Sequence, residues 1–442
     1  MGPDCPVILL LSLCAYHRGM ERNLWGRNSA LGGVVLLASA ACGGGQDGDL
    51  RSDVEYEPAS LTDADALAEV VQASTEFGTA AMTELAQGEN LVLSPASITV
   101  ALAMLAEGSD GPAAQELDQL LGASGAERST AFSALQAALL EYDGDPEVVQ
   151  DDELPETPVL HLANQLVLGE SAEPEEDFLE ALAGYYDAGV ASTDFSSQES
   201  KDLLDDWVQE HTGGLIEESA VSAPDPELVF VLQNAILLAA QWQTPFDPSA
   251  TADREFTTAD GGSAEAEMMQ QTLDAAYTEH DDAQVIRLPY TDGFTMDVVL
   301  PAEGSAPEEF SAEDWAAVDE HLAGDEDTHV DLSMPALDLE TSQELVPLLQ
   351  QMGYAEVVAG NDLSAIDPAV FLSQIAHQSV LKVDEEGTVA AAVTEVAGVT
   401  SAPVEPPETV EMTVDRPYTL RIVHLETNWP LFMAVINDPT EE

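Results

Sequence analysis

The run LVFVLQNAILLAAQW, residues 228–242, constrains the fold more than any other stretch of the chain. It is apolar almost without interruption, as a central strand covered on both faces must be. A chain carrying such a strand has to supply a layer on each side of it. LHLANQLVLG, AQVIRLPY, FTMDVVLP and THVDLSMP are further β-branched or leucine-rich runs bounded by Gly, Pro and Asp, and read as strands. Helical spacing comes mostly earlier: from Leu61 to Leu85 with Thr62 or Asp63 as a cap, then in ASITVALAMLAEGS after Ser94-Pro95, then in GPAAQELDQLL. Helices first and strands later, without βαβ alternation, indicate an α+β fold with large mixed sheets. No internal repeat and no second boundary interrupts residues 61–442, which read as one domain. Between Tyr142 and Pro158 the chain is acidic and proline-punctuated, which predicts an exposed loop.

Composition enters through charge and cysteine. Basic residues number 11 against 84 acidic ones, a net charge of −73. Such a surface repels nucleic acid and anionic lipid, and its self-repulsion predicts stability that rises with salt, as in halophilic proteins. Solubility is the other purpose this acidity would serve. Cys5, Cys14 and Cys42 all lie near the N-terminus, so no disulfide can staple the domain. After Met20 come Arg22 and Arg27, an apolar run from Ala30 to Ala41, then Cys42 and a glycine-rich tether. This is the layout of a secretory signal peptide, too short for a permanent membrane span. Ser39-Ala40-Ala41-Cys42 resembles a bacterial lipobox, with Cys42 the lipidated residue, although Ser39 stands where leucine is usual. A cleaved signal without lipid is the alternative. Residues 1–42 are read as a leader with Met20 as the candidate true start, and 43–60 as a flexible acidic linker. The expected location is extracellular or in the cell envelope, with membrane contact only through a lipid anchor.

No active site emerges. Gly-x-Ser-x-Gly, Gly-x-x-x-x-Gly-Lys-Ser/Thr and His-Glu-x-x-His are all missing from the sequence. The 8 histidines are scattered singly, so neither a metal site nor a cofactor is expected. With 84 carboxylates, a chance Asp/Glu pair carries no information. His377, inside the strand-like run SQIAHQSVLKV, would need a buried partner. An enzyme is therefore not expected.

Six segments in order resemble the serpin family over about residues 60–442. They are NLVLSPASITVALAMLAEGSDGPAAQELDQLLG, WVQEHTGGLI, LVFVLQNAILLAAQWQTPFDP, MMQQ at 268–271, LPYTDGFTMDVVLP and DRPYTLRIVHLETNWPLFMAVINDP. The resemblance implies a serpin fold, with N-terminal helices, large mixed sheets and an exposed reactive-centre loop at about 385–412. It places Ser94, Ser97, Asn234 and His377 at the opening of the central sheet, with Asn234 and His377 hydrogen-bonded to each other. It also makes Glu385, Glu386, Gly387, Thr388, Ala390, Ala391, Ala392 and Thr394 the hinge of a bait loop that inserts into the sheet as a new strand after cleavage. The expected function is suicide inhibition of a serine, or cysteine, endopeptidase by a monomer that holds the protease in a covalent complex. A non-inhibitory serpin serving as an envelope binding or chaperone-like protein is the rival reading. Heparin is not expected as a partner, because a polyanion would meet an anionic surface.

The hinge sequence suits that role. With a strand period of two, Thr388, Ala390, Ala392, Thr394, Val396 and Gly398 share one face and Glu395 lies on the other. If the first set faces the core, Glu395 is expected to point to solvent; a slip of one residue would bury it. Val389 and Val393, where the family prefers other residues, fall on the expected solvent face. The family's spacing from Thr388 puts the reactive bond at Ser401, with Val399 and Thr400 beside it and Ala402 disfavoured by Pro403. No Lys or Arg lies between Lys382 and Arg416, so an elastase-like or subtilisin-like target fits and a trypsin-like one does not.

Overall fold

The apolar run at 228–242 forms a strand over Phe230–Gln241 in the computed structural model, which describes residues 54–151, 153–324, 328–359, 362–367, 372, 374–388 and 409–441. The leader with Cys42, most of the linker, hinge residues Ala390, Ala391, Ala392 and Thr394, and the bond region Val399, Thr400, Ser401 and Ala402 lie outside the described residues. The described helices are α1 (Leu67–Leu85), α2 (Pro95–Glu107), α3 (Gly111–Leu120), α4 (Gly125–Leu139), α5 (Glu176–Tyr186), α6 (Gln198–His211), α7 (Ala312–Leu322), α8 (Leu345–Gln351) and α9 (Ala355–Ala359). Strands β1 (Leu91–Leu93), β2 (Val159–Gly169), β3 (Gly189–Thr193), β4 (Phe230–Gln241), β5 (Ala252–Thr257), β6 (Ser263–His280), β7 (Ala283–Pro289) and β8 (Phe294–Leu300) make up the first half of the sheet inventory. The second half is β9 (Thr328–Pro335), β10 (Leu337–Glu344), β11 (Ala376–Val383), β12 (Gly387–Thr388), β13 (Val410–Thr413), β14 (Tyr418–His424) and β15 (Trp429–Ile436).

Two sheets carry these strands. One runs β1-β15-β14-β8-β7-β6-β9-β13, with β5 also on β6; the other runs β10-β11-β12-β4-β2-β3. In the second, β4 pairs with β2 over ten positions' length from Val159↔Ala239 to Leu168↔Phe230. Its even-numbered side chains, among them Phe230, Leu238 and Ala240, enter the main core. The odd-numbered side meets α6 and the segment before β2, with Val231 beside Leu204 and Leu237 beside Leu154. Both faces are therefore covered, as the continuous apolar run requires.

Three local expectations need correction. The first helix starts at Leu67 rather than Leu61, because Ser60 Oγ donates to Asp63 at 2.7 Å and ties residues 61–63 into a separate 3-10 turn. The linker is docked at its end: Ala59 N–H donates to Ser133 Oγ at 3.1 Å. Residues 142–158 do not stand clear as a loop, since Val149 and Leu154 are buried against β4.

Candidate functional site

Past the end of β11 the chain turns sharply and re-enters the sheet. Asp384 builds that turn: its Oδ1 accepts the N–H groups of Glu386 at 2.9 Å and Gly387 at 3.1 Å, and its carbonyl accepts the Trp242 indole N–H at 2.9 Å. Burial pushes the Asp384 carboxyl up to about 6; the two N–H donors pull it down, and the Glu385 and Glu386 charges add to the rise. The carbonyls of Glu385 and Glu386 accept the N–H groups of Phe246 and Trp242 at 2.8 and 2.7 Å. Gly387 passes so close to β4 that a Cβ would run into the Ala240 carbonyl oxygen, so only glycine fits. Thr388 follows, 2% exposed, with its hydroxyl 2.5 Å from the Tyr290 phenol oxygen. The Tyr290 ring stacks on Trp242 at 4.5 Å, which holds the phenol in place.

Thr388 is paired on both sides, opposite Val383 of β11 and Ala240 of β4. Beyond it no described residue pairs with the facing edges of β4 and β11. A narrow cleft with about 60 Å³ of free space runs down between them, walled by Asn234 and Ile236 on one side and Gln378 and Val380 on the other. Val208 of α6 and Leu215 just after it roof the cleft.

Three of the four residues expected at the opening act together. Ser94 caps α2 by accepting the Ser97 N–H on its Oγ at 3.1 Å, and its own N–H donates to His377 Nε2 at 3.1 Å. Burial pushes His377 down to about 4, so near neutral pH its ring is an uncharged acceptor. Asn234 departs from expectation: it does not bond His377. Its amide N–H donates instead to Asn164 Oδ1 at 2.5 Å, and its Oδ1 is buried without a partner among the described residues. The cause is the cleft, which sets β4 and β11 on opposite walls. The face opposite the core is also not open to solvent. Gln233 on that face is 6% exposed and donates to Leu204 O of α6 at 3.2 Å, while Gln378 Oε1 accepts the Ala220 N–H at 2.7 Å.

Among the described residues, one cluster has the residue types of a metal site. His280 Nε2 lies 3.0 Å from Asp314 and 4.0 Å from Asp281, but Asp314 already accepts from Ser311 in the capping box that starts α7. The cluster is accounted for as a helix cap with a hydrogen-bonded histidine. Sequence reasoning missed Asp384 and Tyr290, which hold the turn at Gly387 and Thr388. Tyr290 stood inside the LPYTDGF motif, but nothing local connects it with a threonine 98 residues away.

The family model described as serpin (serine protease inhibitor) matches residues 72–439. An uncharacterized serpin-like protein of Thermococcus kodakarensis is 29% identical over 380 residues, which is 84% of this chain and 86% of that protein. Iripin-2 of Ixodes ricinus is 30% identical over 383 residues, covering 84% of this chain and 94% of its own. Among solved structures, the thermophilic serpin tengpin in its native state aligns with a TM-score of 0.74 at 24% identity, over 88% of this chain and 99% of that one. Thyroxine-binding globulin in complex with thyroxine aligns with a TM-score of 0.69 at 25% identity, over 84% of this chain and 99% of that one. Its fold and the extent of the family match agree, and the chain belongs to the serpin family, whose members are in general protease inhibitors rather than enzymes.

Proposed function

We propose that this protein is a suicide inhibitor of elastase-like or subtilisin-like serine endopeptidases, working outside the cell as a monomer, either lipid-anchored through Cys42 or freely secreted. The observation that carries the proposal is the hinge: Gly387 and Thr388 already form a short strand between β11 and β4, at the head of a cleft that continues in the same direction. In the proposed reaction the protease serine oxygen attacks the carbonyl carbon of a bond near Ser401. The amide nitrogen leaves carrying a proton from the protease histidine, and the new ester joins the two proteins. Residues after Thr388 then enter the cleft before water can hydrolyse that ester.

The register gives the side-chain assignment of the inserted state. Continued from Thr388, it sets Ala390 opposite Leu238 and Leu381, Ala392 opposite Ile236 and Ser379, and Thr394 between Asn234 and His377. Every core-facing position is thus small or uncharged. Glu395 would fall opposite Gln233 and Ala376, under α6 rather than in open solvent, so insertion requires the roof to yield there. A strand of about a dozen residues gains two rows of backbone hydrogen bonds at roughly 1 kcal/mol each. The total, on the order of 10 kcal/mol, rivals the stability of an ordinary domain. The uncleaved protein would then be a kinetically held state.

The test is to mix the protein with elastase and with subtilisin in high salt, then run denaturing gels and mass spectrometry. A covalent band near the summed mass, with a released C-terminal peptide beginning at about residue 400–402, is expected. Clean cleavage by a panel of such proteases, each left fully active, would overturn inhibition and favour a binding role.

A further inference from the structure

Besides the Gln233–Leu204 bond to β4, the roof of the cleft is fastened toward β11 and toward β2, and those fastenings differ in chemistry. Toward β11, Gln378 accepts from Ala220 N–H at 2.7 Å and donates to Glu218 O at 3.0 Å, a pair of bonds indifferent to pH. Toward β2, the fastenings are a bond from the Gln150 amide N–H to Gly213 O at 2.7 Å and a histidine pair, of which only the pair can titrate. His161, on the α6 side of β2, has Nδ1 3.0 Å from Asp143 Oδ1 and Nε2 2.9 Å from Nδ1 of His211, the last residue of α6. The two rings lie within 6° of parallel with centroids 5.2 Å apart. That separation is about the 2.9 Å bond plus two ring radii, so the two rings meet edge to edge with their nitrogens pointing at each other.

This geometry limits the pair to one proton between them. Asp143 fixes a proton on Nδ1 of His161, leaving Nε2 to accept the Nδ1–H of His211. The pair can hold a single positive charge, but two charges would set N–H against N–H. The line-up also leaves no room for a metal ion between the nitrogens, which would need about 2 Å on each side. Trp207, one turn earlier on α6, covers the His211 ring at 4.5 Å. The charged groups around the pair are all acidic: Asp145, Glu147 and Asp151 from the segment before β2, and Asp206 and Glu210 from α6.

We propose that the His161–His211 pair is an acid-released latch that holds the C-terminal end of α6, and with it the roof of the cleft, down on β2. The latch operates whether or not the protein inhibits a protease, since it concerns the mobility of α6 alone; its effect on loop insertion rests on the function proposed above. Burial first, then the charge of His161, pushes His211 down to about 4, against the opposing pull of Asp143. Release exposes the ring and restores its ordinary proton affinity. A histidine held neutral when closed favours the closed state at neutral pH, and that preference is lost as pH falls from about 6.5 toward 4. Release gains close to tenfold per pH unit in that window, or on the order of a hundredfold in all.

Hydrogen exchange measured by mass spectrometry on the full chain tests this directly. After correction for intrinsic exchange, protection of residues 205–221 is expected to fall about a hundredfold between pH 6.5 and 4, while α5 in the same molecule changes far less. His211→Asn keeps a donor near the position of Nδ1 but cannot titrate, and is expected to flatten the profile; His161→Gln, which removes the second charge, is expected to weaken it. An equal pH profile in wild type and His211→Asn would overturn the proposal. So would a wild-type profile in which 205–221 follows α5. Either exchange result is read without any protease present, so failure of the latch is distinct from failure of the inhibitor assignment.

Discussion

At the scale of single residues, two carboxylates show opposite handling of buried charge. Asp297 is fully buried between two arginines: Arg287 donates to it at 2.7 and 2.8 Å and Arg421 at 3.0 and 2.9 Å. Burial alone would push its carboxyl up, but the arginines outweigh that and hold it below the usual range. Asp297→Ala would strand Arg421, 1% exposed, beside a carboxylate too few, and is expected to cost about 3–5 kcal/mol in denaturant titration. Asp384 is the reverse case, with burial and two neighbouring glutamates against only two N–H donors. Its carboxyl is raised in the folded state, so ionisation is a penalty above about pH 6 that disappears as pH falls toward 4. Asp384→Asn keeps the Oδ1 acceptor and removes the charge. It is expected to raise stability by about 1–2 kcal/mol at pH 7 and by nearly nothing at pH 4. Thermal melts of both proteins across that range check the sign.

At the scale of elements, β12 is only Gly387–Thr388, yet on the proposed function it would set the register of the strand inserted after it. Thr388→Arg would place a charge at a position 2% exposed, between Val383 and Ala240. On the proposed function it is expected to turn an inhibitor into a substrate: the loop is cut at an unchanged rate, but covalent complex on denaturing gels falls at least tenfold. β4 and β11 were legible in the sequence because their patterns are local, one a continuous apolar run and the other alternating about His377. The turn at Gly387 and Thr388 was legible to the same extent, since the expectation there rested on one short segment; the residues that follow Thr388 lie outside the described ones. The roof was not legible. In α6, QESKDLLDDWVQEH shows a polar helix with Leu204 and Val208 on one side, and nothing in it says which sheet face that side covers. The Asn234–His377 bond failed for a related reason, because a family pairing does not specify how far apart two strands stand in a given state of the sheet. Likewise β6 runs for 18 residues through exposed Glu, Asp and Thr, so only its pairing with β7 and β9 reveals its length.

At the scale of the whole molecule, the charge of −73 has few internal counterweights. Raising NaCl from low millimolar to about 1 M is expected to lift Tm by several degrees, since salt shortens the reach of repulsion from roughly 30 to 3 Å. An unchanged Tm with reduced aggregation would mean that the acidity serves solubility alone. The described cations are almost all committed to neighbours: Arg128 to Glu107 and Asp118, Lys201 to Asp205, Lys382 to Asp338, Arg416 to Asp415, Arg287 and Arg421 to Asp297 and Asp319, with Arg254 donating to Gln270. Among the described residues, a protease that cuts after lysine or arginine therefore finds its preferred side chains held in folded structure, and the sequence offers none between Lys382 and Arg416. On the proposed function, the folded domain would persist as bystander in a fluid crowded with enzymes of that specificity, spent only by the class of enzyme the proposed bait bond attracts.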